Sequence, residues 1–215
     1  MKLSELFRSC LNARYTKTKY HGNYAIEVRG SVIYIYFEWS KGIMDWVYNF
    51  NFPKKPYKRM NDIWYCHRGF LKVWKGMRDQ VREEVLDIFV TGKITKIVCV
   101  GYSHGGAICL LATEDMRFLM NSLFPHVQVV GVGFGAPRVL WGKIPESVRN
   151  RLKSYRVVAI DGDIVTKLPP QLFGFKHLKK VSTINQKYEY NPIEAHFSCN
   201  YIKELEKIDK MSADY

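Results

Sequence analysis

The chain has 215 residues, 47% of them hydrophobic and 25% charged, the balance of an ordinary soluble domain large enough to bury a core. Its longest apolar run, Val32 to Phe37, is far short of the roughly 20 residues that span a bilayer as a helix. The formal net charge of +13 is spread along the chain. Its densest clusters, Lys54-Lys55-Pro56-Tyr57-Lys58-Arg59 and Lys176-His177-Leu178-Lys179-Lys180, match no nucleic-acid module, so no nucleic-acid partner is expected.

In chain order, residues 1–20 read as a polar helix followed by a loop, an N-terminal extension of a single domain covering 1–215. Tyr24–Val28 and Ser31–Phe37 flank Arg29-Gly30 as a hairpin-like pair of strands. Residues 53–62, with two prolines and many charges, read as a loop. From Phe70 to Val90, apolar residues at Phe70, Val73, Trp74, Met77, Val81, Val85, Leu86 and Phe89 follow helical spacing. Ile94–Val100 predicts a short buried strand, Gly105–Met120 a second helix, and Val127–Phe134, Tyr155–Ile160 and Val181–Ile184 further strands. His196–Ile208 predicts a closing helix. Strands alternating with helices place the chain in the α/β class, with a mostly parallel sheet flanked by helices.

The segment Gly101-Tyr102-Ser103-His104-Gly105-Gly106-Ala107 follows the strand Ile97–Val100 directly. Gly-x-Ser-x-Gly between a β-branched strand and a small-residue helix is the pattern of a nucleophile elbow. A serine on so sharp a turn needs flanking residues without side chains. The helix that starts behind it turns its N–H groups toward a developing oxyanion. His104 cannot serve as base for Ser103, because adjacent residues of a helix do not face each other. Its backbone N–H is the useful group, since the residue after such a nucleophile donates to the oxyanion. In elbow enzymes the acid and then the base follow the serine along the chain. That order leaves His177 or His196 as base. The strand Tyr155–Ile160 delivers Asp161 and Asp163 into one loop, and spacing does not choose between them.

Five stretches in order, between Ser31 and Tyr201, resemble the fungal-type class 3 lipase family of α/β-hydrolases. They are Phe37-Glu38-Trp39-Ser40 with Asp45-Trp46; His67-Arg68-Gly69-Phe70; Gly101 to Gly106; Phe134-Gly135-Ala136-Pro137-Arg138-Val139; and Asp163-Ile164-Val165 with Leu168-Pro169-Pro170. The resemblance implies a catalytic triad of Ser103, Asp163 and His196, with His67 and His177 structural. It implies an oxyanion hole formed by the N–H groups of Ser40 and His104. It departs from the family at Glu38-Trp39, where relatives carry Arg-Gly, at Tyr102 and His104, where they carry His and Leu, and at Thr166, where they carry Pro.

The expected activity is hydrolysis of lipid carboxylic esters through an acyl-enzyme, as in a triacylglycerol lipase or carboxylesterase, with neither metal nor organic cofactor. The alternatives are a phospholipase A1-type acyl hydrolase acting on anionic lipid, and a catalytically silent basic binding module. The expected partners are a lipid or small ester substrate and, transiently, a lipid interface. Residues 40–52, rich in apolar side chains, occupy the family's lid region and predict a movable cover or a fixed packed segment. A secretory leader is not visible at the N-terminus. Five cysteines, an odd number with no Cys-x-x-Cys spacing, read as a reducing compartment rather than a disulfide framework or zinc site. A cytoplasmic location is therefore expected, with export by another route as the alternative.

Overall fold

A computed structural model describes residues 1–18, 22–40, 53–59, 62–185 and 190–211. Strands β1 (Tyr24–Arg29) and β2 (Val32–Phe37) pair antiparallel through the tight turn at Gly30, with Tyr24 opposite Phe37. β2 continues into parallel pairing with β5 (Lys96–Tyr102), followed by β6 (Gln128–Phe134), β8 (Tyr155–Ala159) and β10 (Ser182–Thr183). The sheet order is β1-β2-β5-β6-β8-β10. β5 and β6 are near-continuous apolar runs because both of their faces are covered, as parallel strands require.

The period-two alternation of β5 sorts its side chains between two cores. Ile97 and Cys99 enter one core with α2 (Arg68–Thr91) and α3 (His104–Leu123). Val98 and Val100 enter the other with α1 (Leu3–Asn12) and α5 (Ser198–Met211). A short helix, α4 (Glu146–Arg151), precedes β8. The N-terminal segment read as polar is an amphipathic helix: Leu6, Phe7 and Cys10 are buried, and the Phe7 ring contacts Tyr102, Phe134 and Tyr201.

The segment read as a loop at 53–62 departs most from expectation. Lys54–Arg59 is strand β3, paired antiparallel with β4 (Asp62–His67) in a second sheet of order β3-β4-β7-β9, where β7 is Leu140–Trp141 and β9 is Phe175–Lys176. Pro56 is tolerated because β3 is an edge strand. Cross-strand partners Tyr57 and Trp64 are both buried, with rings 5.1 Å apart, and Lys54 lies over the Trp141 ring at 3.2 Å. Lysines that read as loop chemistry are the solvent face of a half-buried strand.

α3 is buried along most of its length, including the carboxylates of Glu114 and Asp115. Arg82 of α2 grips Asp115 with two hydrogen bonds of 2.6 and 2.9 Å, and the Tyr57 hydroxyl donates to the same group at 3.0 Å. Arg151 donates to Glu114 at 2.6 Å and to Asp62 at 2.7 Å. Buried charges of this kind persist only when paired in this way.

Candidate active site

The elbow sits where β5 ends and α3 begins. Ser103 has φ 55° and ψ −122°, and no other non-glycine residue among those described has positive φ. Such strain marks a position held for function. The flanking glycines are a steric necessity. A Cβ at Gly101 would stand 2.0 Å from the Gly105 carbonyl oxygen, and one at Gly105 would stand 2.2 Å from the Phe37 carbonyl oxygen. Thus the elbow packs backbone to backbone against the end of β2, from which Ser40 follows after three residues. Ser40 is half-buried there.

Asp163 and His196 meet behind the elbow. Asp163 follows β8 at the start of a 3-10 turn (Ile164–Lys167), and His196 closes another (Glu194–His196) just before α5. His196 Nδ1 lies 2.8 and 2.9 Å from the two Asp163 carboxylate oxygens, and both residues are buried. The carboxylate also accepts from the Tyr201 hydroxyl at 2.6 Å and from the Val165 N–H at 2.9 Å. Four short contacts leave it little room to rotate. The Ser103 hydroxyl and His196 Nε2 are both buried and free of hydrogen bonds. Nδ1 is thereby engaged as donor to the carboxylate, and Nε2 is left with its lone pair open.

Asp161 takes no part in this pair. It is half-buried, and its N–H donates to Asn185 Oδ1 at 2.6 Å. His177 is also absent from it. Its Nε2 stands 2.9 Å from the Thr166 carbonyl, and Arg138 donates to the Pro169 carbonyl at 3.1 Å, so the two side chains strap down the loop that carries Asp163. His67 caps α2 by accepting from the Phe70 N–H at 3.5 Å. Burial chiefly, with the neighbouring Arg68 charge also contributing, pushes the His67 imidazole down to about 4. The His104 ring is edge-on to Phe70 at 5.5 Å, and burial pushes it down to about 4 as well. It is a neutral packing group beneath the elbow. The His104 N–H opens α3, where the helix supplies no acceptor.

Some supporting residues had no separable signal in the sequence. Tyr102, which precedes Ser103, stacks on the His196 ring at 5.1 Å and donates to the His196 carbonyl. Tyr201 braces the acid. Gly135, at φ 53°, lies so close that a Cβ would stand 2.8 Å from the Tyr201 hydroxyl and 3.0 Å from both Asp163 Oδ2 and His196 Cε1. The departures at Glu38-Trp39 are also accommodated. The Glu38 N–H donates to the Asn23 carbonyl at 3.0 Å, the Asn23 amide holds the Glu38 carboxylate, and the Trp39 ring packs on Tyr102 at 6.0 Å. Apart from Ser40, the proposed lid 40–52 lies outside the described residues. Among the described residues, no cluster of His, Cys, Asp and Glu could hold a metal, and no helix is long and apolar enough to cross a membrane.

Residues 34–173 match the family model described as Lipase (class 3). The chain belongs to the class 3 lipase family. Over 150 residues it is 31% identical to a Rhizomucor miehei lipase, covering 67% of this chain and 39% of that one. Over 153 residues it is 29% identical to the secreted mono- and diacylglycerol lipase 1 of Fusarium solani, covering 71% and 41%. A solved triacylglycerol lipase whose catalytic centre is a serine protease triad superposes with a TM-score of 0.64 at 27% identity, over 76% of this chain and 62% of that one. The fold is the α/β-hydrolase fold of this family.

The class 3 lipase chain described here thus spans about two-fifths of the length of these curated relatives. The cytoplasmic location expected from its N-terminus is corrected by them, because the Fusarium solani protein and its Penicillium cyclopium counterpart are both named as secreted. The first residue of a chain that covers part of its relatives carries no information about a leader. Nor do the cysteines report the compartment. Cys10, Cys66, Cys99 and Cys109 are buried packing groups, and burial pushes the first three thiols up to about 12, which keeps them inert.

Proposed function

We propose that the chain hydrolyses carboxylic esters of acylglycerols, outside the cell, with Ser103 as nucleophile, His196 as base and Asp163 as its orienting acid. The observation that carries this reading is the buried Asp163–His196 pair behind a serine strained onto the strand-to-helix turn. His196 Nε2 takes the Ser103 proton as the Ser103 oxygen bonds to the acyl carbon. The imidazolium so formed keeps its Nδ1–H, which donates to the Asp163 carboxylate, and passes the Nε2 proton to the leaving alcohol. Water, activated by the same nitrogen, then attacks the acyl-enzyme and releases the fatty acid. The N–H groups of Ser40 and His104 stabilise the oxyanion of both steps, each worth about 3 kcal/mol.

The substrate class follows from chemistry and kinship together. Relatives are named for mono-, di- and triacylglycerols, and exposed apolar side chains follow Asp163 and flank His196 along the chain. Leu172 and Phe173 follow the Asp163 loop, while Ile193 and Phe197 bracket His196, and all four are exposed, Leu172 at 92%. Apolar side chains in that position favour transient contact with a lipid interface. The test is labelling by a fluorophosphonate together with turnover of p-nitrophenyl esters, a triglyceride and a phospholipid. The wild type is expected to label at Ser103 and to prefer the glyceride. Ser103→Ala should lose labelling and at least ~10³-fold in kcat. Full ester turnover by Ser103→Ala would sink the reading.

A further inference from the structure

Tyr102 ends β5 and is the immediate neighbour of Ser103. The alternation of β5 puts its side chain on the face of Val98 and Val100, in the core that α1 and α5 close. There it meets His196 in two ways. The two rings stack at 5.1 Å with 18° between their planes, and the Tyr102 hydroxyl donates to the His196 backbone carbonyl. One side chain thus holds both the face of the imidazole and the backbone that carries it. A histidine at position 102, as in the family pattern, has no hydroxyl for the second contact. Burial, with the Asp163 charge adding to it, pushes the Tyr102 phenol well above the usual tyrosine range, so the hydroxyl keeps its proton and remains a donor.

The Asp163 carboxylate fixes His196 Nδ1, but a ring held at one nitrogen can still pivot about that contact. Nε2 has no hydrogen bond to stop it. Packing limits the pivot instead. Tyr102 covers one face, the Tyr201 ring stands edge-on at 6.5 Å and 80°, and a Cβ at Gly135 would come within 3.0 Å of Cε1. Tyr102 is itself held: it is buried, with Phe7 of α1 meeting its ring at 5.3 Å and 86°, Tyr201 at 5.7 Å and Trp39 at 6.0 Å. Phe7, fully buried, also touches Phe134 and Tyr201. The Phe134 carbonyl accepts the Ser103 N–H at 2.8 Å, and the Tyr201 hydroxyl donates to Asp163 at 2.6 Å. Phe7 therefore stands behind one support of each of Ser103, Asp163 and His196, although α1 precedes the segment 34–173 that matches the family model.

We infer that Tyr102 is a positioning residue for hydrolysis: its ring face and hydroxyl keep the His196 imidazole turned with Nε2 toward Ser103, and Phe7 of α1 backs it. The role rests on the hydrolase reading. The ring face also attracts the imidazolium, which exists only once His196 has taken the Ser103 proton. The help given is thus greater in the transition state than in the resting enzyme, and it belongs in kcat rather than KM.

Steady-state ester turnover and proton NMR of the full chain test it together. Tyr102→Leu is expected to lower kcat by ~30- to 100-fold with KM within ~2-fold, the cost of a misplaced group. Tyr102→Phe, which keeps the ring and loses one hydrogen bond, should lower kcat by ~3- to 10-fold. Phe7→Leu, which touches none of the triad, should lose a similar ~3- to 10-fold. Val85→Ala, a truncation in the other core, should lower Tm while its kcat, measured well below the melt, stays within ~2-fold. The Nδ1–H that His196 donates to Asp163 gives a low-field proton resonance that persists only while the imidazole is held. It should be present in wild type and Val85→Ala, and broaden or vanish in Tyr102→Leu. Wild-type kcat and an unchanged resonance in Tyr102→Leu overturn the proposal, as does a loss of kcat in Val85→Ala equal to that in Tyr102→Leu. Should Tyr102→Leu fold poorly, wild-type kcat in both Tyr102→Phe and Phe7→Leu overturns it instead. The resonance needs no turnover. If it depends on Tyr102 in a wild type that neither cleaves esters nor labels with a fluorophosphonate, the hydrolase reading fails while the hold of Tyr102 on His196 stands.

Discussion

At Gly135 a single missing Cβ leaves room for Asp163 and His196, the proposed acid and base, to meet. The residue lies at φ 53°, where a side chain is strained on backbone grounds. A methyl group there would push on the Tyr201 hydroxyl, Asp163 Oδ2 and the His196 ring at once. Displacing catalytic groups by about 1 Å costs on the order of 10²-fold. Gly135→Ala is therefore expected to lower kcat by roughly 100-fold with a small effect on KM. Full kcat in a purified variant would show that the dyad does not depend on this close approach. The sequence made Gly135 legible as part of a family stretch but not its reason, because the partners it touches lie 28, 61 and 66 positions further along the chain. Ser103 was readable because its constraint is local: two glycines, one strand and one helix. Asp163 could be separated from Asp161 only by the family resemblance or by the distance to His196. Tyr102 and Tyr201 carry no local pattern at all, since a buried tyrosine that braces a carboxylate looks in sequence like one that fills a core.

At the scale of elements, the strongest departures come from residues whose charge conceals their burial. β3 buries Tyr57 against Trp64, but its lysines are exposed and its edge holds a proline, so its composition reads as a loop. α3 reads as a helix of small apolar residues, yet Glu114 and Asp115 lie fully buried in it. They are tolerable because Arg151 and Arg82 come from helices on either side, a pairing that only tertiary structure reveals. Together these arginines tie α3 to α2 and α4, and α3 is capped at its N-terminus by Ser103, the proposed nucleophile. Breaking a buried pair by removing one partner costs about 3–5 kcal/mol, because the other charge is stranded. Arg82→Ala is thus expected to lower Tm by roughly 6 to 20 °C, read by thermal melts. Asp115→Asn introduced alongside it should recover part of the loss, since the stranded charge disappears. If Arg82→Ala melts within about 2 °C of wild type, the pair does not hold these helices together.

At the scale of the whole molecule, three histidines outside the dyad share one electrostatic fate. His67, His104 and His177 are each pushed from 6.5 to about 4, chiefly by burial. All three resist protonation in the fold, and His67 uses its unprotonated Nδ1 to cap α2. Above pH 6.5 the groups are neutral in both folded and unfolded chains, so they leave stability unchanged. Between 6.5 and about 4 the unfolded chain binds protons that the folded chain refuses, and stability falls as pH falls. Below about 4 the folded chain protonates too, and the loss levels off. For His67, which is 5% exposed, the full shift corresponds to about 3 kcal/mol. His104 and His177 act in the same direction. His67→Asn preserves the helix cap, since asparagine is among the preferred capping residues, while removing the titrating ring. Thermal melts of both proteins at pH 7.5, 5.5 and 4.5 isolate the effect. Carboxylates elsewhere titrate equally in each protein, so the difference between the two profiles reports His67 alone. The variant is expected to lose less stability than wild type on acidification, with the gap opening below pH 6.5 and reaching about 3 kcal/mol near pH 4. Parallel profiles would mean that the imidazole gains its proton as readily in the fold as out of it, contrary to its burial against Phe70 and Phe175.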